Sequence, residues 1–305
     1  MGLRDFIKKG TMVQERYEII RIVGSGGFAL VFEAYDHKRD RTVAIKMMET
    51  MGFKNMDKLQ VYLKRFEREA MLIARLRHPN VLKIYGYGMH GDDQIPYMIV
   101  EFLRGRDMSR HIDECGPVHA SRVFPLFLPI LDALGQAHAH GVVHKDLSPS
   151  NLFWKNPDTD QESWCVLDFG IAYWRSAAAR LTAKNSFMGT PRYVAPEYAL
   201  TQKVGSTVDV YQLGLVLVEI LCGAPVVRET DKLQALLAHT KKGLVVPERM
   251  RDTALWPVLK KALSANPDER YEDAHVFAEA LAQIPTVNLP HFTADEPTCK
   301  IQTLP

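Results

Sequence analysis

The run His144-Lys145-Asp146-Leu147-Ser148-Pro149-Ser150-Asn151 puts a carboxylate and a carboxamide on one short segment, and Asp168-Phe169-Gly170 supplies a second carboxylate further on. A carboxamide and a carboxylate are hard oxygen ligands suited to magnesium, and another carboxylate can orient an acceptor hydroxyl. Together they meet the needs of in-line phosphoryl transfer from a magnesium nucleotide. Each run alone is a weak signal, because Asp-Phe-Gly also reads as a strand end turning through glycine.

Such side chains need elements to hold them. Apolar or β-branched runs at 17–23, 31–36 and 42–48, bounded by glycine or charged turns, predict strands. Residues 58–77 carry a helical period, and 81–87 and 97–102 predict two further strands. After Gly105 the pattern becomes helical, at 121–140, 208–221, 233–239 and 274–281. The expectation is an α+β protein with an N-terminal extension (1–16), a strand-rich lobe (17–102), an α-rich lobe (106–285) and a tail (286–305) of weak periodicity. Gly24, Gly26 and Gly27 fall between the first two strands, at a hairpin tip where backbone N–H groups can approach phosphate oxygens without an intervening Cβ. A dinucleotide fingerprint is disfavoured, since its glycines open a helix. Lys46 ends the run Val43-Ala44-Ile45. In the predicted helix Phe66, Glu69, Ala70 and Ile73 share one stripe facing the sheet, whereas Glu67 lies about 200° from Glu69.

With 305 residues and 47% hydrophobic composition the chain has ample material for a core, which excludes global disorder. A net charge of +2, with acidic and basic residues interspersed, gives no footprint for nucleic acid. The four cysteines are far apart, so neither a disulfide framework nor a zinc site is indicated, and a reducing compartment fits. Arg4, Asp5, Lys8 and Lys9 leave no apolar core for a secretory signal, and Phe6 argues against myristoylation of Gly2. The longest apolar stretch, 213–222, is interrupted by Glu219 and too short to span a bilayer. A cytoplasmic protein with no membrane partner is expected.

Ordered company strengthens the opening signal. Ile22-Val23-Gly24-Ser25-Gly26-Gly27-Phe28-Ala29-Leu30-Val31 and Val43-Ala44-Ile45-Lys46 precede it, and Ala195-Pro196-Glu197 and Asp209-Val210-Tyr211-Gln212-Leu213-Gly214 follow. Over about residues 17–270 the chain resembles the eukaryotic-like (Hanks-type) Ser/Thr protein kinases. The resemblance implies a bilobal protein-kinase fold, with a five-stranded antiparallel sheet and one long helix in the first lobe. It implies ATP and Mg2+ as cofactors, a protein substrate with a Ser/Thr acceptor, and autophosphorylation. In this reading Asp146 orients the substrate hydroxyl, and Asn151 and Asp168 bind magnesium. Lys46 holds the α- and β-phosphates and pairs with Glu69, where the family motif also places the partner. Val23, Gly24, Ser25, Gly26 and Gly27 cover the phosphates. Val31, Ala44 and Phe153 wall the adenine at the lobe junction, where Glu101, Phe102 and Leu103 offer backbone groups and Val100 gates the rear pocket. His144 becomes a packing residue stacked on Phe169, Glu197 a buried ion-pair partner of Arg270, and Asp209 an anchor for the catalytic loop.

Departures from the family pattern are Ala29 in place of a third glycine, Lys145 in place of arginine before the catalytic aspartate, and Ser148 in place of a lysine that touches the γ-phosphate. Lysine lacks the planar fork that grips a phosphorylated activation segment, in which Thr182 and Ser186 are candidate phosphosites. Thr190 resembles the threonine that bonds the catalytic aspartate, and Thr293, Thr298 and Thr303 read as accessible tail sites for a phosphothreonine-reading partner. Two alternatives stay open: a weakly active kinase or pseudokinase scaffold that binds nucleotide, and a small-molecule phosphotransferase, which the elements 195–197 and 209–214 oppose.

Overall fold

The computed structural model describes residues 3–26, 29–48, 76–91, 94–169, 191–229, 231–295 and 297–301. They fall into two compact units. The first takes the described residues up to Arg77 together with Leu82–Arg104, and the second takes His78–Val81 and the described residues from Gly105 onward. The helix expected at 58–77 lies outside the described residues but for its last two positions, and Glu69 lies outside them.

In the first unit α1 (Leu3–Phe6) and β1 (Met12–Val13) precede β2 (Tyr17–Gly26), β3 (Ala29–Asp36), β4 (Arg41–Met48), β5 (Ile84–His90) and β6 (Ile95–Glu101). The strands form one sheet in the order β1-β2-β3-β4-β6-β5, every pair antiparallel. Side chains alternate across a strand, so the register settles the two faces. Phe32 pairs with Ile45, and Ile45 with Ile99, on a face where Ile19, Ala34, Val43 and Tyr97 are also buried. Val31 pairs with Lys46, and Ala44 with Val100, on the opposite face.

The sheet has six strands rather than the expected five, and residues 3–16 are part of this core rather than an appendage. Leu3, Ile7 and Val13 are buried in the same apolar cluster, and the main chain is tied down by Gly10 N–H to Ile19 O (2.8 Å) and Ile19 N–H to Thr11 O (3.0 Å). A two-residue strand and one turn of helix carry no readable period. The strand expected from Val81 begins at Ile84; Val81 instead bridges Val166 in the second unit.

The second unit contains α2 (Met108–Cys115), α3 (Ala120–Ala139), α4 (Pro196–Thr201), α5 (Ser206–Cys222), α6 (Lys232–Leu237), α7 (Leu255–Ala262) and α8 (Ala274–Ala282). Every residue of α5 from Val208 to Cys222 is buried, as a helix apolar all round must be. It ends at Gly223, whose φ of +74° suits glycine and whose N–H caps Glu219 O at 2.7 Å. Beside the helices lie a three-stranded sheet, β7 (Gly105–Asp107), β8 (Leu152–Lys155) and β9 (Ser163–Val166), and a pair, β10 (Leu244–Pro247) with β11 (Thr298–Ile301).

The last strand gives the expected tail a structure that its weak periodicity did not signal. After a short turn at Thr286–Asn288, Leu289 and Phe292 are buried, and Glu248 N–H donates to Pro297 O at 2.8 Å as β11 joins β10. Thr298 lies within this paired strand, and Thr303 falls outside the described residues. The partner strand is remote in sequence, so local pattern gave no sign of it. Among the described residues no helix is long and apolar enough to cross a membrane.

Candidate active site

The hairpin of β8 and β9 organises the second unit's polar centre. Its register runs from Leu152 opposite Val166 to Lys155 opposite Ser163, so its open end carries Asn151 on one arm and Leu167-Asp168 on the other. Leu167 N–H donates to Asn151 O at 2.9 Å, which fixes the two arms together. The Asn151 side chain donates from Nδ2 to Asp146 O at 2.5 Å, and this orients the amide so that Oδ1 is its remaining acceptor. Asp146 and Asn151, from one short segment, and Asp168, from further along the chain, are thus gathered on one support; Asp146 is buried to 5% exposure.

The segment 144–147 is held by side chains rather than by regular structure. Asp209 of α5, fully buried, accepts from His144 N–H and Lys145 N–H at 2.8 Å each and from His138 Nε2 at 2.8 Å. Burial alone pushes this carboxyl up, yet the His138 bond and the Lys145 N–H outweigh it and hold the group below the usual carboxylate range. His144 donates from Nε2 to Leu167 O at 2.7 Å, while its Nδ1 accepts from Asp146 N–H at 3.3 Å. Both ring nitrogens are therefore committed to backbone, and the fully buried imidazole cannot act as a base toward an acceptor. It touches the Phe169 ring at 4.8 Å, tilted by 57° rather than stacked. Lys145 and Asp168 both adopt positive φ, +70° and +58°, which non-glycine residues hold only when their surroundings enforce it.

A short turn, Pro191–Tyr193, leads into α4 and is held by side-chain hydrogen bonds. His239 donates from Nε2 to Pro191 O (3.0 Å), Gln212 from Nε2 to Tyr193 O (3.1 Å), Tyr193 from its hydroxyl to Glu219 Oε2 (2.7 Å), and Arg192 from Nη2 to Arg228 O (3.3 Å). Burial pushes Glu219 up to about 7 and the Tyr193 phenol well above its ordinary value, and lowers His239 to about 4. Next to the turn, Glu197 and Arg270 form the expected bidentate pair at 2.7 and 2.8 Å. Arg270 also donates to Ser264 O, Thr207 O and Ala265 O, which engages all five of its N–H groups.

A family profile described as "Protein kinase domain" matches residues 17–283. The chain belongs to the protein kinase family. Over 268 residues, 87% of its length, this kinase is 31% identical to the serine/threonine-protein kinase PrkC of Bacillus subtilis. It is 31% identical over 269 residues, 86% of its length, to PknB of Mycolicibacterium smegmatis. It spans 40% and 42% of those two curated relatives. Among solved structures it resembles the apo form of PpkA-294 (TM-score 0.70, 24% identity, covering 90% of this chain and 99% of that one). It also resembles the kinase domain of Mycobacterium tuberculosis PknI (TM-score 0.66, 22% identity, covering 91% and 99%). These likenesses show the bilobal α+β kinase fold.

The kinase's remaining predicted site residues distribute by unit. In the first, Val31, Ala44, Lys46 and Val100 share the sheet face opposite the apolar core. Gly24 sits opposite Val31, where a Cβ on Gly24 would come 3.4 Å from that of Val31, and Ser25 and Gly26 continue the hairpin. Val23 is partly exposed beside them, and Gly27 lies outside the described residues. Glu101 N–H is committed to Lys83 O at 2.9 Å, and Leu103 follows, half-buried. Phe153 is on β8 in the second unit. The activation-segment positions Thr182, Ser186 and Thr190 lie outside the described residues.

Sequence reasoning missed Gln212, His138, His239 and Glu219. Gln212 had a signal, since it stands one helical turn beyond Asp209 and so on the same face. Glu219 had one too, because an acid amid the apolar run of that helix needs a buried partner. His239 had none; it sits where α6 widens into a π-helical turn, Ala238–Lys242.

Proposed function

We propose that this chain transfers the γ-phosphoryl group of ATP to Ser or Thr hydroxyls of protein substrates. The observation that carries the reading is the gathering of Asp146, Asn151 and Asp168 by one hairpin and one 3₁₀ turn, with His144 excluded as a base. Asp146 positions the acceptor hydroxyl, a role that needs placement more than basicity because the transition state is loose. Asn151 Oδ1 and the Asp168 carboxylate are hard oxygens of the type Mg2+ takes when it shares its coordination with phosphates. When bound, that ion neutralises charge developing on the transferred group. Lys46, on the sheet face with Val31 and Ala44, holds phosphate, Glu69 is its assigned partner, and the glycine hairpin lets backbone N–H groups approach. The four cysteines are scattered along the sequence with no Cys-x-x-Cys, which suits a reducing, cytoplasmic setting.

Ser148 favours one second reading, that of a weakly active enzyme. Its hydroxyl lies 2.9 Å from Ser150 Oγ within the loop, so no cation stands at that position. Mass spectrometry of the wild type and of Asp146→Asn after incubation with Mg-ATP and a generic protein acceptor tests both readings. Phosphoserine and phosphothreonine formed by the wild type alone are expected. Phosphotyrosine in excess, or no product, would overturn the main reading.

A further inference from the structure

Gln212 is buried on α5 and makes three hydrogen bonds. Oε1 accepts from Leu147 N–H at 3.0 Å, and Nε2 donates to Lys145 O at 3.2 Å and to Tyr193 O at 3.1 Å. The first two partners are the peptide groups on either side of the Asp146 Cα, so one carboxamide grips the backbone that aims the Asp146 side chain. The third is the last residue of the turn that leads into α4. Both Nε2 hydrogens are used, which leaves neither loop able to shift without breaking a buried bond.

We infer that Gln212 is a positioning residue that sets the aim of Asp146 and couples it to the turn at Pro191–Tyr193, through which acceptor binding is transmitted to the catalytic loop. The strain at Lys145 supports this. A φ of +70° at lysine needs continued enforcement, and the bonds that supply it come from Asp209 on the N–H side and from Gln212 on the carbonyl side. Asp209 engages only the residues before Asp146, so without Gln212 nothing among these side chains holds Leu147 N–H. The inference rests on Asp146 being the residue that positions the acceptor.

The test compares Gln212→Met, which keeps length but removes the donors and the amide acceptor, with Gln212→Glu and with Leu213→Ala, a buried neighbour whose truncation removes packing from α5 and no hydrogen bond to either loop. For Gln212→Met, kcat is expected to fall about tenfold to a hundredfold, as for a small misplacement of a reacting group. The KM for protein acceptor should rise, while the nucleotide Kd, measured by direct titration, stays within about twofold. Gln212→Glu keeps an acceptor for Leu147 and regains a donor only when its carboxyl is protonated. Its kcat relative to wild type should therefore climb as pH falls from about 8 to about 6, with no such climb for Met. Leu213→Ala should lose thermal stability while keeping kcat per folded molecule. Parallel loss of kcat and nucleotide affinity, or equal effects of Leu213→Ala and Gln212→Met, would overturn the coupling. Amide exchange at Leu147 gives a readout independent of activity: protection lost in Gln212→Met and kept in Leu213→Ala supports the grip even were the wild type inactive, and unchanged protection removes it.

Discussion

Asp146→Asn is the substitution that separates aiming from nucleotide holding. Its backbone anchors, Asn151 Nδ2 on Asp146 O and Asp146 N–H on His144 Nδ1, do not involve the side chain, so the loop should keep its shape. Transfer is expected to fall by about a thousandfold or more with nucleotide affinity nearly unchanged, because only hydroxyl positioning is lost. Labelled-phosphate transfer and nucleotide titration check this, and parallel collapse of both would refute the role. At this scale the sequence was most informative for the residues to which we assign the chemistry. Asp146, Asn151 and Asp168 could be named from residue type and order alone. Gln212, which helps to hold them, acts through backbone atoms of other segments, and its residue type carries little record of which carbonyl it will meet.

Elements add constraints that single residues do not. The first turn of α4 and the segment between α7 and α8 are joined by Glu197 and Arg270, whose guanidinium has no spare donor. Glu197→Ala would strand a buried cation and is expected to cost about 3–5 kcal/mol in urea unfolding. The activation segment should behave more gently. Lys145 presents a point charge without a fork, so Thr182→Ala or Ser186→Ala, assayed before and after phosphatase, should lower activity by less than about a hundredfold, or roughly 2.8 kcal/mol. A larger loss would show that the segment is gripped in spite of Lys145. The C-terminal segment should matter more than its composition suggests. Removing residues from 289 onward takes away buried Leu289 and Phe292, each worth about 1.5–3 kcal/mol, and should lower the melting temperature by several degrees in a thermal scan. Long periodic runs such as 121–140 and 208–221 read true to within two residues of α3 and α5. By contrast β7 and β11 have three and four residues, and they exist only because distant strands complete them.

Across the whole molecule two buried titrating groups pull in opposite directions. Glu219 has its pKa raised by burial from 4.5 to about 7, so the stability gained by its protonation is fully present below about 4.5 and is lost as pH rises through about 7. His239 is lowered from 6.5 to about 4, so its contribution is present above about 6.5 and is lost as pH falls through about 4. Between about pH 4.5 and 6.5 the folded chain holds one extra proton at Glu219 and lacks one at His239, and the two slopes cancel. In Glu219→Gln that balance is gone. Its stability relative to wild type should fall on acidification across this window, on the order of 1 kcal/mol per pH unit. Urea unfolding at successive pH values measures it, and a constant difference would contradict the assignment. The pairing of β10 with β11 has a mechanical consequence. Ile301 lies opposite Leu244 and Thr298 opposite Pro247, so tension applied at the chain's far end meets the ladder one rung at a time. Such a pair unzips rather than shears, and a molecule stretched from that end in an optical trap should release this strand in a separate low-force event, with the loop bearing Asp146 still intact.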